Sequence, residues 1–199
     1  MSAAHGPEVW LVRHGETEWS KSGQHTSTTE LELTEHGVEV ACTLKERLAG
    51  EEFSLVLTSP RVRARKTAEL AGFEDAEVDD DLAEWAYGEY EGITTAEIRE
   101  TVPGWTVWTH PTPGGETAEE VGARLDRVVA RARAVDGDTL IVGHGHALRV
   151  LAARWLDQPV AEGRFFRLDT ATYSVLDHEH EYPVLRTWNA PATAGASLA

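Results

Sequence analysis

The sequence is poor in cysteine, since Cys42 is the only one among 199 residues. A single thiol excludes a disulfide within the chain and is typical of proteins from reducing compartments. Cys42 falls inside a predicted helix, so we expect a small buried side chain and not a nucleophile.

Basic residues are also scarce, with 18 Lys and Arg against 34 Asp and Glu and a formal net charge of −16. A nucleic-acid surface needs clustered positive charge to neutralise phosphates, so the composition argues against that class of partner. The negative charge also repels small anions at long range, although salt screens the effect. Any phosphate site must therefore be a local cluster of cationic groups.

Long hydrophobic runs are missing as well. No stretch reaches the roughly 20 apolar residues of a membrane-spanning helix, and residues 1–8 lack the basic and apolar segments of a signal peptide. We therefore expect a cytoplasmic protein without a membrane partner. With 41% hydrophobic residues, the chain is long enough for one domain with a full core.

Short apolar runs alternate with amphipathic stretches, which is typical of an α/β domain. The clearest helix runs from Thr117 to about Ala134, because Thr117 and Glu120 have capping-box spacing before a regular apolar face. The small, uncharged residues 190–199 are predicted to form a disordered tail. Other helices are predicted at Thr34–Leu48, Arg61–Leu70 and Thr94–Glu100, and after Gly145 as far as Trp155. Strands are predicted at Val9–Val12, Leu55–Leu57, Leu140–Val142, Phe165–Leu168, Tyr173–Leu176 and Val184–Trp188.

Polar residues follow three of these strands where each strand ends. The three segments are Arg13-His14-Gly15, Ser59-Pro60-Arg61 and Gly143-His144-Gly145. In open α/β sheets, ligands bind outside the carboxyl ends of the strands, so these loops can converge on one pocket.

The residue types in these loops suit phosphoryl transfer. Arg13 and Arg63 could offer planar donor forks to phosphate oxygens. A rigidly held, neutral His14 could attack phosphorus and carry the phosphoryl group, while His144 could stabilise the developing charge. A partly desolvated carboxylic acid could protonate the leaving oxygen, and Glu84 is one candidate among the 34 acidic residues.

Five segments follow one another in a recognisable order and spacing: Leu11–Thr17, Leu33–Gly37, Thr58–Thr67, Leu82–Gly92 and Gly143–Arg149. As a set they resemble the histidine phosphatase superfamily, also called phosphoglycerate-mutase-like, over about residues 9–156. Together with the order of elements, the resemblance implies one three-layer α/β domain over residues 1–189. We expect a mixed, mostly parallel sheet with helices on both of its faces.

The resemblance implies a role for each matched residue. His14 would be the nucleophile, and Glu84 would be the general acid and later the base. Arg13, Arg63 and His144 would bind the phosphoryl group of a small phosphorylated metabolite. The implied reaction is hydrolysis of a phosphomonoester through a phosphohistidine, without a metal or other cofactor. The expected substrate contacts are Arg13, Thr17, Ser20, Thr26, Ser27, Arg63, Tyr87, Gly145 and His146.

Within the family, Trp19–Thr26 and Tyr87–Gly92 most resemble acid phosphatases and the sugar-bisphosphatase branch. The sequence departs at Ser27, where glycine is usual, and at Glu30, where aspartate is usual. We expect both positions at the substrate rim, where they would bear on specificity and not on mechanism. The physiological ester and the oligomeric state are not readable, and a homodimer rests on the habit of the family alone.

Two other functions stay open. A cofactor-dependent phosphoglycerate mutase would carry a long insertion with a basic pair that grips the substrate carboxylate. Here Thr94-Thr95 stand where the mutase pattern has a lysine, and no Arg-Arg pair occurs before Gly114. A catalytically silent module that binds phosphorylated partners is disfavoured, because all five catalytic positions are filled.

Two sets of side chains allow more than one interpretation. His178 and His180 have the spacing of a metal pair, but we expect them on an exposed strand without a metal. Trp105 and Trp108 could be packing residues or could line a lid over the leaving group, and both interpretations stay open.

Overall fold

The computed structural model describes residues 6–193. The strands are β1 (Val9–Arg13), β2 (Phe53–Thr58), β3 (Glu77–Val78), β4 (Asp138–Gly143), β5 (Thr172–Glu179) and β6 (Tyr182–Pro191). The helices are α1 (Glu18–Ser22), α2 (Glu35–Leu48), α3 (Val62–Leu70), α4 (Thr95–Thr101), α5 (Ala118–Arg133) and α6 (Gly145–Trp155). Short 3₁₀ helices cover Asp80–Leu82, Gly88–Tyr90 and Val160–Phe165.

One six-stranded sheet organises the fold, in the order β3-β2-β4-β1-β5-β6. The first four strands in this order pair in parallel, and β5 and β6 pair antiparallel. The predicted mixed, mostly parallel sheet is therefore confirmed. The parallel strands β1, β2 and β4 end at the same edge, where His14 N donates to Gly143 O and Ser59 N donates to Val142 O, both at 3.0 Å.

Alternation along β1 divides the core into two layers. Trp10 and Val12 belong to a cluster with the buried side chains of α2 and α3. Val9 and Leu11 belong to the opposite cluster, with the apolar faces of α5 and α6. Helices therefore cover both faces of the sheet, as the sequence predicts.

The predicted start of α5 is confirmed. Thr117 accepts a hydrogen bond from Glu120 N, and the Glu120 side chain accepts one from Thr117 N, which completes the capping box. The apolar face of this helix then packs against α6.

Two local predictions are wrong. Cys42 is exposed, because the buried face of α2 consists of Gly37, Ala41, Leu44 and Leu48 and leaves Cys42 on the adjacent face. The segment Phe165–Leu168 is not a strand, because it ends a 3₁₀ helix and then continues without regular pairing.

The final strand reaches further than the sequence suggests. Ala190 and Pro191 pair with Tyr173 and Thr172 of β5, so the predicted tail boundary at residue 190 is too early. The rest of the predicted tail, from residue 194, lies outside the described residues. No helix within residues 6–193 is both long and apolar enough to cross a membrane.

Candidate active site

A cavity of about 180 Å³ opens at the edge where β1 and β4 end. It contains the strand-end residues Arg13 and His14 together with Gly145, the first residue of α6. Its full lining is Arg13, His14, Trp19, Ser20, Gly23, Gln24, His25, Thr26, Glu84, Tyr87, Gly145, His146, Arg149 and Leu168.

Hydrogen bonding shows which ring nitrogen of buried His14 carries the proton. Its Nδ1 lies 2.7 Å from Gly15 O, and because a carbonyl oxygen only accepts, Nδ1 carries the ring proton. Nε2 of the neutral ring therefore keeps its lone pair. Burial, followed by the positive charges of Arg63 and Arg13, holds the pKa of His14 well below its usual range. The ring is thus neutral at mildly acidic pH.

His144 lies beside His14, with the ring centroids 5.2 Å apart, and is fully buried. Its Nε2 lies 2.6 Å from Ser59 Oγ, which itself accepts a hydrogen bond from Arg61 N. The Ser59 hydroxyl can therefore donate to Nε2 and leave the ring proton on Nδ1. Burial, with the neighbouring Arg63, lowers the pKa of His144 well below its usual value.

Backbone carbonyls hold the two arginines in place without cancelling their charge. Arg13 Nη1 donates to Leu168 O at 2.5 Å, and Arg63 Nη1 donates to Thr29 O at 3.0 Å. Arg63 Nη2 also lies 3.2 Å from the carbonyl oxygens of residues 26 and 27. Since a carbonyl carries no net charge, both guanidinium groups can still attract an anion.

Three buried polar atoms around the two histidines have no hydrogen-bond partner. Within residues 6–193, only five buried side-chain N or O atoms are unpaired, and three belong to predicted phosphoryl-binding residues: Arg13 Nε, Arg63 Nε and His144 Nδ1. Leaving a buried donor unpaired costs about 1–3 kcal/mol. Acceptor oxygens of a bound anion could satisfy all three donors.

Glu84 is buried against the first turn of α6, and its carboxylate accepts three backbone hydrogen bonds. Oε1 accepts from Trp85 N and Ala147 N, both at 2.8 Å, and Oε2 accepts from His146 N at 3.0 Å. Two donors occupy Oε1, whereas Oε2 has one donor and can still carry a transferable proton.

Tyr87 and His146 form a second polar pair in the cavity wall, with Tyr87 Oη 2.5 Å from His146 Nδ1. Burial raises the pKa of Tyr87 well above its usual value, so the phenol stays protonated and donates. Burial and nearby Arg149 lower the pKa of His146 well below its usual value, so the imidazole stays neutral and accepts.

The cavity contains most, but not all, of the predicted substrate contacts. Arg63 and His144 are fully buried beside His14 and do not belong to the lining. Thr17 is fully buried too, and its Oγ1 accepts from Ser20 N and caps α1. The predicted contacts in the lining are Arg13, Ser20, Thr26, Tyr87, Gly145 and His146.

The two departures from the family pattern do not lie at the substrate rim. Ser27 is buried, and its Oγ donates to the Glu91 carboxylate at 2.5 Å. Glu30 accepts from Val62 N at the start of α3 and pairs with Arg61. Both residues therefore hold the protein's own loops, which is a correction to the expected role in specificity.

Sequence reasoning missed several residues of the cavity wall. The ring of His25 packs at a tilt against Tyr87, with the centroids 4.7 Å apart, and Arg149 follows Gly145 by one turn of α6. Only helical spacing could have indicated Arg149, because position i+4 shares a face with position i. The missed lining residues are Trp19, Gly23, Gln24, His25, Arg149 and Leu168.

Trp105 and Trp108 belong to the packing around the cavity and not to its lining. Trp105 is buried with its ring 5.2 Å from that of His25, and Trp108 lies 5.2 Å from the ring of His146. His178 packs on Trp155, whereas His180 is exposed. In the described part of the chain, no three His, Cys, Asp or Glu side chains are grouped so that they could hold a metal ion.

Comparisons with known proteins identify the family to which this chain belongs. A family model described as histidine phosphatase superfamily (branch 1) matches residues 9–191. An acid phosphatase of Mycobacterium tuberculosis is 46% identical over 175 residues, which cover 85% of this chain and 86% of that protein. A sedoheptulose 1,7-bisphosphatase of Saccharomyces cerevisiae is 37% identical over 182 residues, 75% of this chain and 67% of that protein. The solved structure of an open reading frame from Mycobacterium tuberculosis has a TM-score of 0.91 at 41% identity, covering 94% of this chain and 99% of that one.

Proposed function

We propose that this chain, which belongs to the histidine phosphatase superfamily (branch 1), hydrolyses small phosphomonoesters through a covalent phosphohistidine on His14. Membership of the family, with relatives named as an acid phosphatase and a sugar bisphosphatase, supports phosphatase activity. The observation that carries the covalent route is the hydrogen bond from His14 Nδ1 to Gly15 O, which leaves Nε2 free to attack.

In the first step, the Nε2 lone pair of His14 attacks phosphorus and the ester P–O bond breaks. Glu84 gives its proton to the departing oxygen, so that an alcohol leaves and a carboxylate remains. The unpaired N–H groups of Arg13, Arg63 and His144 stabilise the charge on the phosphoryl oxygens. The product is a phosphoryl group bonded to Nε2.

In the second step, the Glu84 carboxylate takes a proton from water as the water oxygen attacks phosphorus. The P–N bond breaks, and its electron pair returns to Nε2. Inorganic phosphate leaves, Glu84 is protonated again, and His14 regains the neutral form with its proton on Nδ1. Each residue therefore ends the cycle as it began.

The proposal is tested by replacing His14 with asparagine and measuring hydrolysis of p-nitrophenyl phosphate in the presence of EDTA. His14→Asn should lower turnover by roughly a thousandfold or more, because the covalent route is lost. An alkaline quench of the wild type should trap phosphate on the protein, and none should be trapped on His14→Asn. Exposed His180 provides the matched control, so His180→Asn should behave as wild type. Near-normal turnover of His14→Asn, or a requirement of the wild type for a divalent cation, would show the mechanism to be wrong.

A further inference from the structure

Arg149 is fixed in the wall of the cavity by contacts that carry no negative charge. Its Nε donates to Gly163 O at 3.0 Å, and its Nη2 donates to Arg164 O at 3.2 Å. Its guanidinium lies 4.6 Å from the ring centroid of Trp108. These contacts leave Nη1 without a hydrogen bond among the described residues.

In residues 6–193, Arg149 forms no ion pair, although the protein as a whole is strongly acidic. Two other arginines with low exposure, on α5 and α6, do pair with carboxylates: Arg124 with Glu116 at 2.7 Å and Arg154 with Asp126 at 2.7 Å. Burial lowers the pKa of Arg149 below its ordinary value, because the charge is removed from water, although the nearby Glu84 opposes this shift. A fixed, partly desolvated cation without a salt-bridge partner is a ready anion site.

The remainder of the cavity wall offers few other charges. Besides Arg149, the lining contains Arg13 as a cation and Glu84 as its one carboxylic acid. The imidazole of His25 is neutral, because burial lowers its pKa to about 4, and the other wall residues are uncharged or kept neutral as described above. A second anion entering this cavity would therefore meet Arg149.

Arg149 lies one helical turn beyond the part of α6 that approaches Arg13, so an anion at Arg149 would belong to the alcohol part of a substrate whose phosphoryl group lies at Arg13. A Cβ on Gly145 would lie 3.4 Å from Arg13 Cζ, so the start of α6 closely approaches the predicted phosphoryl-binding arginine. Arg149 follows one helical turn later, roughly 6 Å along the axis. Arg13 and Arg149 can thus bind two anionic groups joined by a carbon chain.

We propose that Arg149 is a specificity-determining residue that binds a second anionic group, a phosphate or a carboxylate, on the alcohol part of the substrate. This inference rests on the proposed function, because His14 and Glu84 define which part of the cavity receives the leaving group. The favoured substrates are then phosphomonoesters of alcohols that carry their own negative charge.

Two matched substrate pairs test the proposal. Propane-1,3-diol bisphosphate, whose two esters are equivalent, is compared with 3-hydroxypropyl phosphate, and 3-phosphoglycerate with glycerol 3-phosphate, so that the reacting ester stays the same and only the second anion is lost. The wild type should show a kcat/KM about tenfold higher for the doubly anionic member of at least one pair, as expected for a hydrogen-bonded charge. The two pairs distinguish a second phosphate from a carboxylate. The preference should decline as salt is added.

Substitution of Arg149 then assigns the preference to this residue. Arg149→Met should remove about tenfold or more of kcat/KM for the preferred substrate and leave p-nitrophenyl phosphate nearly unchanged, whereas Arg149→Lys should retain part of the preference. The matched control is Arg133→Met, because Arg133 also stacks on a tryptophan and donates to a backbone carbonyl, but outside the cavity.

Several outcomes overturn the inference, one of which is an unchanged preference in a folded Arg149→Met. Equal kcat/KM values within both pairs, or a preference that does not respond to salt, would do so in the wild type alone, even if Arg149→Met does not fold. An equal loss on every substrate, including p-nitrophenyl phosphate, would show that Arg149 only links α6 to residues 163 and 164. If the wild type hydrolyses p-nitrophenyl phosphate without any preference, only this inference fails. If it hydrolyses nothing, the proposed function fails and this inference fails with it.

Discussion

At the scale of single residues, the protonation states in the cavity depend on neighbours that are distant in sequence. The charges that keep His14 neutral come from Arg63 as well as from adjacent Arg13. The donor that assigns the tautomer of His144 is Ser59, 85 positions away. Folding therefore sets the chemistry of both rings, although their identity is visible in the sequence.

We expect activity to be greatest at mildly acidic pH. His14 must be neutral to attack, and its lowered pKa keeps it neutral well below pH 6.5, so the acidic limb of the profile should lie below that value. The proposed mechanism needs a protonated general acid, so activity should fall again towards alkaline pH. The measurement is the kcat/KM of an alkyl phosphate between about pH 3 and 9, a range that spans most ordinary side-chain pKa values.

The variant Glu84→Gln should lower kcat/KM for an alkyl phosphate and have less effect on p-nitrophenyl phosphate, whose leaving group needs little protonation. Glu8→Gln is the matched control, because Glu8 is a buried glutamate outside the cavity that accepts a hydrogen bond from Trp10 Nε1. A wild-type optimum above about pH 8 would contradict the assigned roles.

The five predicted catalytic residues lie together in the structure. Arg13, His14 and His144 stand at strand ends, which are local features of the sequence, whereas only the family resemblance chose Glu84 among the 34 acidic residues. Arg149 could not be predicted in the same way, since its position depends on the carbonyls of Gly163 and Arg164. The roles of Ser27 and Glu30 were missed for the same reason, because their partners Glu91 and Val62 lie far along the chain.

At the scale of elements, the loop of residues 24–29 connects the acid Glu91 to the arginine Arg63. Glu91 accepts from Ser27 N, Ser27 Oγ and Thr29 N, while the loop's carbonyls accept from Arg63. Burial alone would raise the pKa of Glu91, but these hydrogen bonds outweigh it and lower the pKa. Glu91 thus supports Arg63 through the loop.

Weakening this support should impair phosphate binding. We expect Glu91→Gln to raise the inhibition constant of inorganic phosphate by about tenfold, because hydrogen bonds to a charged acceptor are lost. Ser27→Gly removes only one of them and should have a smaller effect. Lys66→Gln, which breaks an exposed ion pair with Glu69 on α3, provides the control. Unchanged phosphate inhibition in a folded Glu91→Gln would show that the loop holds Arg63 without Glu91.

The sequence predicts elements with a strong periodic pattern, but it does not predict every segment whose structure depends on pairing. The capping box and apolar face of α5 lie within one stretch of sequence. In contrast, Phe165–Leu168 has the composition of a strand but no partner strand, and Arg13 Nη1 bonds to Leu168 O instead. Ala190 and Pro191 have no apolar alternation, yet β5 pairs with them.

At the scale of the whole molecule, two buried and two half-buried histidines make folding sensitive to acid. The pKa values of His14, His25, His144 and His146 are all lowered, chiefly by burial. Unfolded histidine titrates near 6.5. Between that value and each lowered one, the unfolded chain binds more protons, so the free energy of unfolding falls as the pH falls.

We therefore expect stability to be nearly constant just above pH 6.5 and to decline from about pH 6.5 towards pH 4. Urea denaturation at a series of pH values measures this decline. His25→Gln should make the decline shallower, whereas replacement of exposed His36 should not. A free energy of unfolding that stays constant over this range would contradict the neutral state of the buried rings. The pH of greatest activity should thus lie below the pH of greatest stability.

The strand that carries Arg13 has no free edge. Residues 9–13 of β1 pair with β4 on one side, and residues 9–12 pair with β5 on the other, while β3 and β6 form the two borders of the sheet. Amide hydrogens of β1 should therefore exchange with deuterium last, and only when the whole domain opens. Fraying at β3 or β6 should leave turnover intact. On heating, catalysis and the secondary structure of β1 should be lost in a single transition.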